Sequence, residues 1–179
     1  KTVNFDNTHV YHFYYGTETG APGSIMTTFP YQEIGVRIGT HGAGQITVTS
    51  FSVPAGSLPF WRRRLTGAGV PFTDEASDFG EEALRFSDPS GLAIRLVGSR
   101  ADVRAPWRRP GLGDANAIRG IHGVTLLVRE PRETIAFVQS LTGVVARTGD
   151  QTIVLPKIDW NVNSKNSFAL SYNHLRWKS

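Results

Sequence analysis

One pattern, strand-helix-strand-strand-strand, recurs along this chain and is complete only once. Gln45 to Val53 alternates apolar and polar residues and reads as a strand. Pro54-Ala55-Gly56-Ser57 closes it and offers Ser57 as the N-cap of a helix over Leu58 to Ala68, which Gly69 stops. Leu58, Trp61 and Leu65 recur at i, i+3 and i+7, the stripe of a helix laid on a sheet, so Trp61 reads as core and not as a stacking platform. Val70 to Thr73, Ala83 to Ser87 and Leu92 to Val97 are three further strands, the last two joined by the turn Asp88-Pro89-Ser90-Gly91. Residues 45–98 thus make one whole unit. The other copy is divided: Lys1 to Phe5, Thr8 to Tyr15 and Ser24 to Phe29 look like closing strands, whereas Ala117 to Val128 and Pro131 to Leu141 look like an opening strand and helix, with Ile135 and Val138 inward.

Neither partial unit can bury its sheet face alone, because residues 1–29 have no helix and residues 117–147 have no further strands. The expectation is an α+β domain over 1–147, in which a complete unit (45–98) stands beside one assembled from 1–29 and 117–147. It would be circularly permuted within one chain or swapped across a homodimer. Residues 30–44 and 98–116 read as linkers. Residues 148–179 form a separate tail, in which 157–177 alternates about Ser164-Lys165-Asn166 as a hairpin does. That alternation faintly resembles outer-membrane receptor strands.

The chain begins on Lys and opens directly into a strand, as a chain cut inside a unit would. With 179 residues, 40% hydrophobic and 19% charged, there is enough material for a real core. Nineteen Gly and ten Pro favour short strands over a helical bundle. The net charge of +4 is concentrated at Arg62-Arg63-Arg64 and at Arg104 to Arg109, which read as a solvated helix face and a surface linker. No nucleic-acid motif accompanies them. Lack of Cys excludes disulfides, thiolate ligands and a Cys nucleophile, so a metal would need His and carboxylate ligands. No apolar run reaches the roughly 20 residues of a membrane-spanning helix, and no signal peptide is evident, so the expected setting is cytoplasmic.

Alternation also sorts the side chains that could do chemistry. In the hairpin 83–97, Leu84, Phe86, Ile94 and Leu96 share the face that meets the helix, which turns Arg85 and Arg95 to the opposite, concave face. Two guanidiniums there suit an anionic or polyoxygenated small molecule, unless each pairs with a carboxylate such as Asp78 or Glu82. By the same rule His12 faces that side beside Tyr14 and Thr27, as a base with a neighbouring hydrogen-bond donor. Asp78, Glu81 and Glu82 are the acids nominated for metal-free hydrolysis. A G-x-S-x-G elbow, a P-loop, a dinucleotide fingerprint and H-E-x-x-H are all missing.

KTVNFD at 1–6, YHFYYGTETGAPGSI at 11–25, FGEEALRFSDPSGL at 79–92 and IRGIHGVTLLV at 118–128 resemble the vicinal-oxygen-chelate superfamily, in its glyoxalase, bleomycin-resistance and ring-cleaving dioxygenase branch. That resemblance implies paired βαβββ modules around a cleft where a divalent metal is held by His on first strands and Glu on a last strand. Here Arg95 falls where the Glu would be, and the His-His pair becomes His122-Gly123, leaving His122 as a weak candidate ligand or base. No cofactor is expected, other than Fe, Mn, Zn or Ni if an oligomer rebuilds the site. Three functions follow: a glyoxalase or dioxygenase-type enzyme with a degraded metal site, a metal-independent glycoside or ester hydrolase, or a small-molecule binding protein. His12, His122 and Tyr14 are the catalytic candidates, and Arg85, Arg95 and Thr27 the substrate-binding ones. No nucleic-acid or membrane partner is expected.

Overall fold

Val53, Leu84 and Leu96, each 1% exposed or less, lie under Leu58, Trp61 and Leu65, and this apolar sandwich is the core. The computed structural model describes residues 1–140 except for 32–34, 38, 78–79 and 107, and beyond them the backbone of 141–142 and of four strands between 152 and 176. The core belongs to a five-stranded sheet. Its strands, by chain order, are β4 (Gln45–Pro54), β5 (Phe72–Ala76), β6 (Glu82–Ser87), β7 (Ala93–Ser99) and β8 (Gly120–Leu127), following β1 (Thr2–Val3), β2 (Tyr11–Tyr15) and β3 (Met26–Thr28). The order across the sheet is β5-β6-β7-β4-β8, with β4 parallel to β7 and antiparallel to β8. Helix α1 (Leu58–Gly67) crosses one face, as its apolar stripe requires.

Three boundaries differ from the sequence pattern for local reasons. Ser57 does not cap α1: its hydroxyl donates to the Pro54 carbonyl at 2.7 Å, closing a short 3-10 turn over Ala55–Ser57 that leads into the helix. Val70 donates its N–H back to Leu65, so the chain is still leaving the helix there and β5 starts at Phe72. Asn116 and Ala117 donate to the Gly113 carbonyl in a turn, which delays β8 to Gly120.

Strands β1, β2 and β3 form their own antiparallel sheet, with Thr2 opposite His12 and Tyr14 opposite Thr27. Ile121 of β8 donates its N–H to the Gly23 carbonyl, just before β3, at 2.7 Å. Helix α2 (Pro131–Thr142) follows β8; Ile135 and Val138 are half-buried and Phe137 is exposed. Farther on, β9 (Thr152–Val154) pairs with β12 (His174–Arg176), and β10 (Ile158–Asn163) with β11 (Asn166–Leu170). No helix among the described residues is long and apolar enough to cross a membrane.

The stretch 98–116 is more than a surface linker. Arg104 grips the Asp102 carboxylate with Nε at 3.0 and 3.1 Å and Nη2 at 2.7 Å, and Trp61 Nε1 donates to the Asn116 carbonyl at 2.9 Å. Other basic residues are likewise matched locally, Arg62 with Asp74 and Arg108 with Asp114.

Candidate functional site

The site is built on the sheet face that α1 leaves uncovered. Side chains of residues directly opposite one another across neighbouring strands point to the same face. Ser50 lies opposite both Arg95 and Gly123, and Arg85 lies opposite both Arg95 and Thr73. One row therefore crosses the whole sheet as Gly123, Ser50, Arg95, Arg85, Thr73, on the side away from Leu84 and Leu96. Alternation had placed Arg85 and Arg95 together on this side, and they are there.

The two arginines have different surroundings. Arg95 is buried at 8% exposure, and its Nε meets Glu75 Oε1 at 2.5 Å. Glu75 stands two strands away, opposite Ala83 of the intervening β6, and the small Ala83 side chain lets the guanidinium lie across it. Glu75 is thus a carboxylate partner that spacing did not nominate. Arg85 is exposed and has no ion pair among the described residues.

Glu82 is exposed on β6, and Asp78 lies outside the described residues. The residue that matters between them is Glu81. Its Oε2 is 3.1 Å from His122 Nε2, with the two side chains 28% and 19% exposed. The Ser77 hydroxyl sits 3.3 Å from the same oxygen and accepts the Glu81 N–H at 3.1 Å, closing the β5–β6 hairpin around the acid. Glu81 leads into β6 and His122 lies in β8, so two strands separate them. Three strand spacings of about 4.8 Å would keep flat backbones about 14 Å apart. The contact shows that the flanks of the sheet approach one another over the helix-free face.

A bulge turns His122 to this side. Phe51 lies opposite Ile121 while Ser50 lies opposite Gly123, so His122 is the extra residue of β8. Plain alternation cannot assign a face to such a residue, and the Glu81 partnership was not legible from spacing for that reason.

His12 and Tyr14 form a second, separate group. Tyr14 Oη is 2.8 Å from His12 Nδ1, and the His12 ring stacks on Phe29 with centroids 4.1 Å apart. Thr27 lies opposite Tyr14. Among the described residues no hydrogen bond, ion pair or ring contact joins His12, Tyr14 or Thr27 to His122, Arg85 or Arg95.

Strands β4, β5, β6 and β7 with α1 follow one another as a βαβββ unit, and β8 extends its sheet at the β4 edge. No family model matches the chain. It is 39% identical over 152 residues to MhqO of Bacillus subtilis (strain 168), which carries a ring-cleaving dioxygenase name; the match takes in 84% of this chain and 48% of that one. A chlorohydroquinone/hydroquinone 1,2-dioxygenase of Sphingobium indicum is 33% identical over 143 residues, 78% of this chain and 44% of its own. A crystal structure from Bacillus subtilis subsp. subtilis str. 168, under a dioxygenase name, superposes with a TM-score of 0.73 at 38% identity, covering 86% of this chain and 49% of its own. Over most of its length the chain is similar to proteins that carry ring-cleaving dioxygenase names, in line with the resemblance to the vicinal-oxygen-chelate superfamily. It spans about half the length of the curated relatives it matches.

The metal that the resemblance implies finds few donors among the described residues. Arg95 and Gly123 stand where the resemblance expects Glu and the second His, and both fall in the row through Ser50. His122 and Glu81 supply two donors, and no group of three metal-ligating side chains converges among the described residues.

Proposed function

We propose that the helix-free face holds a small aromatic compound bearing ring hydroxyls, and that His122 removes a hydroxyl proton. The observation that carries this reading is the half-buried His122–Glu81 pair over a polar sheet face, in a chain whose relatives carry ring-cleaving dioxygenase names. Glu81, ionised, accepts a hydrogen bond from Nε2–H and so fixes the neutral tautomer whose free base is Nδ1. As the ring O–H breaks, its proton passes to Nδ1, and the new phenolate lies over the row that contains Arg85. Arg85 is the cation suited to that oxygen, since Arg95 is committed to Glu75. Ring opening by dioxygen is what the relatives' names imply for the full-length activity. The residues at hand account for binding and proton removal, and no ring-opening step is assigned to them.

The same reading extends to the architecture. Strand β8 serves as the first strand of the divided unit, with β4 on one side and the Gly23 carbonyl on the other. That supports a permuted two-module domain over 1–147 within one chain, with 148–179 as an appended tail.

Calorimetric titration with hydroquinone and catechol tests the proposal. Binding that weakens at least about tenfold in His122→Ala, with Glu81→Gln intermediate, is expected. Failure of every hydroxylated ring to bind would overturn it. Oxygen uptake with and without added Fe(II) then separates an enzyme from a protein that only holds its ligand, and turnover of chromogenic glycosides or esters would favour hydrolysis instead.

A further inference from the structure

Ile121 presents both backbone polar groups to the outer edge of β8, the side away from β4. Its N–H goes to the Gly23 carbonyl at 2.7 Å, and its carbonyl accepts from Arg104 Nη2 at 2.9 Å. In an antiparallel pair a residue's N–H and C=O point to the same neighbour, so here a loop carbonyl and a guanidinium together replace that neighbour. Arg104 closes the ring by donating from Nη1 to the same Gly23 carbonyl at 3.3 Å. The guanidinium is itself held by both oxygens of Asp102. Asp102 is anchored through its own carbonyl, which accepts from Arg119 Nη1, and Arg119 in turn donates its N–H to the Ser52 carbonyl of β4 at 2.9 Å.

Gly120 makes room for this arrangement. Its φ of +149° and the surrounding atoms leave no place for a side chain: a Cβ would stand 2.6 Å from Arg104 Nη1 and 2.9 Å from the Gly23 carbonyl oxygen. The next residue but one is His122, the extra residue of the bulge. A bulge residue is unpaired and takes its direction from its flanks. On one flank Gly123 is paired with Ser50, and on the other Ile121 lies opposite Phe51 and is held on its outer edge by Arg104 and Gly23.

We propose that Arg104 is a positioning residue for His122: through Ile121 it fixes the bulge that turns the imidazole toward Glu81. The significance of His122 rests on the proposed function, but the positioning can be read without any ligand. In the uniformly labelled chain, nitrogen shifts of the His122 ring at neutral pH report its tautomer, and amide exchange at Ile121 reports the edge. The wild type is expected to show the Nε2–H tautomer predominating and a protected Ile121 amide.

Arg104→Gln is expected to give a tautomer mixture and Ile121 exchange at least about tenfold faster, with the amides of Leu84 and Leu96 unchanged. Arg104→Lys keeps the charge without the fork and should rescue only partly. Gly120→Ala displaces the guanidinium while leaving the Asp102 and Arg104 side chains in the chain, and should reproduce the Arg104→Gln tautomer mixture, so the idea stays testable if Arg104→Gln unfolds. Arg108→Gln, at the exposed Arg108–Asp114 pair, should change neither signal. Faster Ile121 exchange with an unchanged His122 tautomer would reduce Arg104 to a seam clamp and overturn the proposal, as would no change in either. Loss of phenol binding in an otherwise unperturbed wild type would strike the functional reading and leave this one standing.

Discussion

Gly123 and Arg95 flank Ser50 from opposite sides in a single row of the helix-free face. The family resemblance expects a metal ligand at each of these two positions, which share one face with only Ser50 between them. Replacing both should be more than additive. Gly123→His with Arg95→Glu is expected to bind Mn(II) at least about tenfold more tightly than either single variant, with the wild type weakest. Calorimetry on folded protein checks it, and equal affinities across the series would mean that this row is not the counterpart of the family's metal centre.

Arg95 is 8% exposed and Glu75 is its partner at 2.5 Å. Glu75→Ala takes a charge-assisted hydrogen bond away from a buried guanidinium and should lower unfolding free energy by roughly 2 kcal/mol. Arg95→Met introduced alongside should recover a good part of that loss, since an apolar chain of similar length suits the same space. Urea unfolding of the single and double variants gives the comparison, and a double variant less stable than Glu75→Ala would contradict it.

How far the sequence could be read depended on whether a residue obeyed a period. Leu84 and Leu96 alternate in plain strands, so their place under Leu58, Trp61 and Leu65 followed from spacing, as did the opposite placement of Arg85 and Arg95. Partners lay beyond that rule. Glu75 reaches Arg95 over Ala83 from two strands away, whereas spacing pointed only to nearby Asp78 and Glu82. His122 sits in a bulge, where the period breaks, and Glu81 was one of several acids in a loop until the fold brought them to 3.1 Å. Arg104 was the least legible. It lies among arginines and prolines that read as linker, and only the meeting of Gly23, Asp102 and Ile121 around it shows otherwise.

Asp102 gives the fold a sign-definite pH dependence. Burial alone would push its carboxyl up, but hydrogen bonds from the Arg104 side chain and backbone, and the attraction of that guanidinium, hold it at about 2. A folded value below the ordinary 3.8 means that the Asp102 contribution is fully present above about pH 4. It is lost as pH falls toward 2. Unfolding followed from pH 6 to pH 2 should therefore show a smaller acid-dependent loss in Asp102→Asn than in the wild type, with the variant already weaker at pH 6. Parallel curves for the two proteins would remove Asp102 from the account.

The His12–Tyr14 pair supplies the control that separates the two histidine groups. The Tyr14 hydroxyl bonds His12 Nδ1 at 2.8 Å on an exposed part of the three-stranded sheet, and Tyr14 is 49% exposed. Such a bond contributes about 1 kcal/mol or less, so Tyr14→Phe should shift stability by no more than that. His12 also stacks on Phe29, and the ring should stay seated without the Tyr14 hydroxyl. Because no hydrogen bond, ion pair or ring contact links this pair to His122 among the described residues, Tyr14→Phe and His12→Gln should leave phenol affinity within about twofold of the wild type, while His122→Ala reduces it about tenfold. Should His12→Gln weaken binding as much as His122→Ala, the ligand must span both sheets, and the working site would have to be moved from the helix-free face to the seam at Gly23 and Ile121.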